Sequence, residues 1–100
     1  MNKNPSSDRG QSRTNTAAVA DRVWRQIVNH SGESFQQVRG KQFTYEARGR
    51  TIYLHTTNRI ISRAAVEKAL SRWPLERVSD VQDLSAPSYL YAILTDRRIG

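Results

Sequence analysis

In the stretch FTYEARGRTIYLHTTNR, residues 43–59, arginines flank a glycine, Tyr53 and His55 follow two residues apart, and a polar run ends in another arginine. Guanidinium groups make bidentate bonds to phosphate, and flat rings stack on an unpaired base or sugar. The grouping therefore points to a polyanionic partner, most directly nucleic acid. Arg39, Lys41, Arg48, Arg50, Arg59, Arg63, Lys68 and Arg72 are the candidate phosphate contacts, and Tyr53, His55 and Asn58 the candidate base contacts. The side chains of HTTNR, with free amides at the start of the helix that follows, are expected to hold a phosphate. A blander reading exists for each: charged hairpin tips also keep strand edges from pairing with other chains. Tyr53 is also placed to pack across Thr44.

Catalysis has little to stand on. His30 and His55 are the only histidines and there is no cysteine, so thiolate metal sites and disulfides are excluded. No nucleophile-elbow, phosphate-loop or dinucleotide-binding sequence occurs. Glu46 and His55 fall on one sheet face, but the expected register does not set them opposite each other. The chain is thus read as a non-enzyme without cofactors or metals.

The charge is unevenly placed. The formal net charge is +7, and thirteen of the sixteen cations are arginine once Lys3, Lys41 and Lys68 are set aside. Residues 39–72 hold the eight cations named above against only Glu46 and Glu67, whereas residues 14–38 balance Arg22 and Arg25 with Asp21 and Glu33. Residues 73–100 are slightly acidic, with Glu76, Asp80, Asp83 and Asp96 against Arg77, Arg97 and Arg98. A clustered excess of this kind attracts phosphates or acidic protein surfaces and speeds encounter with them. No apolar run reaches about 18 residues, and the polar N-terminus lacks a secretory core, so a cytoplasmic protein with no membrane span is expected.

The elements that must position these groups follow from periodicity. Residues 1–13 have no apolar residue after Met1 except Pro5 and read as a disordered basic tail; residues 14–100 read as one α+β domain. Residues 16–29 predict a helix capped by Asn15 or Thr16, with Ala20, Val23, Trp24, Ile27 and Val28 as its apolar stripe. Asp21 is expected to pair with Arg25 one turn on, and Gly32 to end the helix turn. Three antiparallel strands follow, at about 34–38, 42–47 and 50–56, joined by RGK and RG turns. With Arg48 and Gly49 as loop residues, Ala47 faces Arg50, Tyr45 faces Ile52 and Phe43 faces Leu54, which puts the apolar residues on one face. Gln42, Thr44, Glu46, Thr51, Tyr53 and His55 then share the other.

A second helix is expected over 62–73, with Ser62 as cap and Val66, Ala69, Leu70 and Trp73 as its stripe, ended by Pro74. SDVQ at 79–82 has capping-box spacing and predicts a helical turn near 80–84. Pro87 opens a last helix, about 87–95, whose Leu90, Ile93 and Leu94 close the core. The fold class is therefore an N-terminal helix, a three-stranded antiparallel sheet, then two or three helices.

Helix, three strands, helix is similar in element order to double-stranded RNA-binding domains. The GPxH-type loop of that family is replaced here by RGK, and its KKxAK-type helix start by SRAAV. A winged helix fits less well, because its recognition helix precedes the wing. The combination GESF…FTYEARGR…TNRIISRAAVEKAL with PSYLYAILTDRRI, over residues 32–99, resembles a family of small bacterial domains of unassigned function. In its last run Asp96 and Arg97 are expected to form a packed structural pair. Non-catalytic nucleic-acid binding is the favoured expectation. The alternative is a protein-interaction module, an adaptor, inhibitor or phage- or defence-associated factor, that uses its basic face on an acidic partner.

Overall fold

The computed structural model describes residues 4–99, and their side chains from residue 17 onward. Its elements run α1 (Asn4–Asn29), β1 (Ser34–Gln36), β2 (Gln42–Arg48), β3 (Thr51–Leu54), β4 (Ile60–Ser62), α2 (Arg63–Leu70), a 3₁₀ turn (Val78–Val81) and α3 (Pro87–Thr95). The α+β class holds, with four strands in the order β1-β2-β3-β4, every neighbouring pair antiparallel.

Helix α1 starts well upstream of the expected cap at Asn15 or Thr16. Pro5 stands in its first turn, where a missing N–H costs nothing. Residues 4–13 of the expected tail thus belong to α1, while residues 1–3 lie outside the described residues. The apolar stripe buries Ala20, Val23, Trp24 and Ile27, but Val28 is exposed. At 100° per residue Val28 falls on the flank of that stripe. Asp21 does not pair with Arg25; it reaches across to Arg63 of α2. Gly32, in the left-handed region at φ 91°, turns the chain into the sheet as expected, and its amide donates to the Tyr45 carbonyl at 2.8 Å.

One sheet face is packed and the other is open. Phe35, Phe43, Tyr45, Ile52, Leu54 and Ile61 point inward and are buried with Trp24, Val66, Leu90 and Ile93 in one core. The β2–β3 register differs from the expected one by two residues: Tyr45 faces Leu54, Glu46 faces Tyr53 and Ala47 faces Ile52. The loop is Gly49-Arg50 rather than Arg48-Gly49, because glycine takes the first loop position, where φ is +58°. That is the demand of a type II′ hairpin turn. A two-residue slip preserves the parity of a strand, so every side chain still falls on its expected face.

The fourth strand was not expected. The loop over residues 55–59 reverses the chain within the stretch read as β3 and its polar exit, and β4 pairs Ile61 with Ile52 and Ile60 with Tyr53. Ser62 ends β4 and caps α2, accepting a hydrogen bond from the Ala65 amide at 3.2 Å. Helix α2 stops at Leu70 with Ser71 as its C-cap, short of the expected 73. A residue before proline is driven out of helical backbone, and Trp73, expected in the apolar stripe, is 46% exposed. The 3₁₀ turn also begins earlier than expected. Its capping acid is Asp80, which accepts from the Glu76 and Arg77 amides at 2.8 and 3.2 Å, and Ser79 does not serve as the cap. Helix α3 matches its expected bounds and buries Leu90, Ile93 and Leu94.

Both sheet edges are stopped by side chains from the C-terminal third. Hydrogen-bonded pairs alternate along an antiparallel ladder. Since Gln37 donates to Lys41 and Arg63 to Arg50, the carbonyls of Ser34 and Ile60 face away from the sheet. Arg98 donates to the first at 2.8 Å and Ser85 to the second at 2.7 Å. Arg98 also forks onto Asp96, reaches Glu33 at 2.9 Å and lies 3.9 Å from the centroid of the Phe35 ring. The expected pair of Asp96 with Arg97 is therefore a pair with Arg98, because Arg97 turns outward while Arg98 folds back toward β1.

Candidate nucleic-acid interface

The open sheet face is built by alternation. Residues paired across the strands point the same way, so Glu46, Tyr53 and Ile60 form one row across β2, β3 and β4. Among the described residues no helix covers this row, and Tyr53 and Ile60 are 37% and 48% exposed. The guanidinium of Arg48 lies over the Tyr53 ring, 4.4 Å from its centroid, and its Nε is 3.5 Å from a Glu46 oxygen. His55 joins the same face: its Nδ1 and Thr44 Oγ1 are 2.8 Å apart, and its Nε2 is 4.0 Å from Glu46. Tyr53 thus sits across from Glu46, not from Thr44 as the expected register had it.

The candidate cations divide between the two ends of the sheet. Arg39 and Lys41 occupy the β1–β2 turn, and His55, Asn58 and Arg59 the β3–β4 loop; β2 begins and β3 ends at that side. All five are exposed. Arg48 and Arg50 occupy the opposite end, beside Arg63, whose amide donates to the Arg50 carbonyl at 2.8 Å. A seven-residue β2 separates the ends, roughly 20 Å at the usual strand rise.

The two ends differ in charge balance. Arg48 meets Glu46, Arg50 lies 4.0 Å from Glu67, and Arg63 pairs with both Asp21 and Glu67. Hydrogen bonds that Arg63 donates to Asp21 and Glu67 hold its guanidinium above its ordinary pKa. Just past the end of α2, Arg72 makes a two-pronged bond to Asp83 at 2.6 and 2.9 Å and reaches the Asp80 carbonyl. That bond pulls the Asp83 carboxyl down to about 2. By contrast, Arg39, Lys41, Arg59 and Lys68 meet no carboxylate within ion-pair distance among the described residues. The surplus of positive charge on the sheet therefore collects at the Arg39, Lys41 and Arg59 end. An open cleft of about 490 Å³ adjoins it, lined by Gln37, Val38, Arg39, Val78, Gln82 and Ser88.

One expected element is largely spent. The amides at the start of α2 were expected to be free for a phosphate, but Arg63 donates to Arg50 and Ala65 to Ser62. The reading of the sequence also missed Ile60 as part of the open face and Glu46 as the counter-ion of Arg48. The signal for Ile60 was present in IIS, where a β-branched pair must send one isoleucine to each side if it is a strand. Glu46 was hidden because Arg48 was expected in the loop, whereas β2 extends through it and sets the two on one face. Among the described residues no cluster of side chains has the makings of a metal site, and no helix is long and apolar enough to cross a membrane. Compared with known proteins, the chain matches no family model, no curated protein and no solved structure.

Proposed function

We propose that this domain binds nucleic acid without catalysing a reaction on it, in the cytoplasm, through the open sheet face and its basic end. The observation that carries the reading is the exposure of Tyr53 and His55 on an open sheet face whose one end holds Arg39, Lys41 and Arg59, three cations without carboxylate partners among the described residues. Unpaired exposed cations supply phosphate affinity without first breaking an ion pair, and rings on a sheet supply surfaces for bases. Arg48, Arg50, Arg63 and Arg72 contribute less, because each already has a carboxylate.

The test is a titration of labelled single-stranded and duplex DNA and RNA at low and moderate salt. The logarithm of the binding constant falls linearly with the logarithm of salt concentration when phosphates are neutralised. The double substitution Arg39→Glu/Lys41→Glu weakens binding at least tenfold and flattens that slope. Arg48→Glu/Arg50→Glu has the smaller effect. If no nucleic acid binds even at low salt, the reading fails and an acidic protein partner becomes the reading to pursue.

A further inference from the structure

We infer that the partner of the open face is a single strand, laid along β2 and β3 with one base stacked at Tyr53; this rests on the nucleic-acid reading above. Three observations bear on it. First, Tyr53 stands in the middle of a sheet row, with a strand on either side, and shows its ring to solvent. A duplex hides the flat faces of its bases by stacking them on each other, so a ring set in a sheet has nothing to stack on there. A single strand offers those faces freely.

Second, the arginines of the helix and of the hairpin tip are already paired. A duplex is addressed by a helix or a β-ribbon set into a groove with its cations free for phosphates, and Arg48 and Arg50 at the β2–β3 tip lie near Glu46 and Glu67. On α2, Arg63 is held by Asp21 and Glu67, and Arg72, just past its end, is held by Asp83, which leaves Lys68 as the helix's one cation without a carboxylate among the described residues. The unpaired cations on the sheet lie instead at one end of the strands, Arg59 in the loop that follows β3 and Arg39 and Lys41 in the turn before β2.

Third, the ring already carries a flat π-cation. The Arg48 guanidinium lies over the Tyr53 ring, 4.4 Å from its centroid, and so covers a face of the ring. It is a side chain with 62% of its surface exposed, so it can leave the ring for a neighbouring phosphate. Arg48 thus acts as a placeholder, and the arriving base exchanges with it.

The experiment uses fluorescein-labelled oligonucleotides of about ten nucleotides, within the size of known single-strand sites, as single strands and as duplexes of the same sequence. The single strand is expected to bind at least tenfold more tightly than the duplex at equal salt. Tyr53→Ala loses roughly tenfold on the single strand, the scale of one stacked base, with the salt slope unchanged, while Tyr53→Phe binds as the unsubstituted protein does. Equal binding of duplex and single strand, or full single-strand affinity in Tyr53→Ala, overturns the inference and leaves nucleic-acid binding standing. Absence of binding to either removes both. If the alanine variant does not fold, the ring resonances of Tyr53 in the unsubstituted protein decide: they move upfield on adding single strand if a base stacks there, and stay in place if none does.

Discussion

The phenol of Tyr45 donates a 2.6 Å hydrogen bond to the carbonyl of Ile27, joining the middle of β2 to the last turn of α1. The last carbonyls of a helix have no partner within it, and here a fully buried strand residue supplies one. Helix and sheet are thereby fixed in register at the centre of the core. Tyr45→Phe keeps the ring but orphans a buried carbonyl, and is expected to cost about 1–2 kcal/mol in urea denaturation at neutral pH.

Burial also pushes the Tyr45 hydroxyl well above its ordinary value of 10. Its neutral form is the one the fold accepts. The stability it contributes is complete below that ordinary value and is lost as pH rises past it, because the unfolded chain releases the proton first. The unfolding midpoint should fall above about pH 10 in the native protein and fall less steeply in Tyr45→Phe.

Arg98 ties the C-terminal segment to the sheet. It bonds Asp96, Glu33 and the Ser34 carbonyl and lies against Phe35. Arg98→Ala is expected to cost about 2 kcal/mol, the scale of lost charge-assisted bonds plus a cation–π contact. Arg98→Lys recovers less than half, since an ammonium cannot hold the fork to Asp96. Chemical denaturation of the three proteins checks this.

Acid should weaken the fold in a defined window. Asp96 is lowered by its bond to Arg98, Glu33 by His30, and Asp80 by the Glu76 amide, while Asp83 is drawn to about 2 by Arg72. Each is depressed in the folded protein, so its contribution is present above the ordinary values of 3.8 and 4.5 and lost as pH falls through the lowered ones. The denaturation midpoint should hold down to about pH 5 and then fall steadily toward about pH 2. Asp96→Asn lowers the plateau and shallows the decline; a profile flat to pH 2 would contradict these bonds.

Gly49 makes the tip of the β2–β3 hairpin, with φ at +58° and no atom within 4 Å of where a Cβ would stand. The cost of Gly49→Ala is therefore conformational and not steric, about 1 kcal/mol for a left-handed alanine. Thermal denaturation should show that loss with the sheet's circular-dichroism signature intact.

Much of the fold could be read from alternation and punctuation. Phe43, Tyr45, Ile52 and Leu54 sort to one face under either register, so the packed and open faces were legible although the pairing was two residues off. Pro87 and the spacing of Leu90, Ile93 and Leu94 defined α3 to the residue. What escaped was set at long range or by backbone demand. Three residues of β4 carry too little pattern to distinguish from the run into α2, and Gly49's place in the turn depends on the twist of both strands.

The candidate site was legible in residue type and not in arrangement. The cations were counted from local sequence, but whether each has a counter-ion depends on partners such as Asp21 for Arg63, 42 residues away. Arg72 likewise finds Asp83 only after the chain turns at Trp73 and Pro74. The single basic surface expected from residues 39–72 is thus two ends of a sheet, one neutralised at close range and one not.

Ser85 and Arg98 come later in the chain than the strands whose borders they close. During synthesis all four strands are made before Ser85 and Arg98. A nascent chain paused in that interval has its hairpins made and neither border guarded, which is the condition under which sheets recruit one another. Synthesis of the segment from Ser85 to Arg98 is therefore what closes the borders of a sheet that would otherwise be a template for clumping.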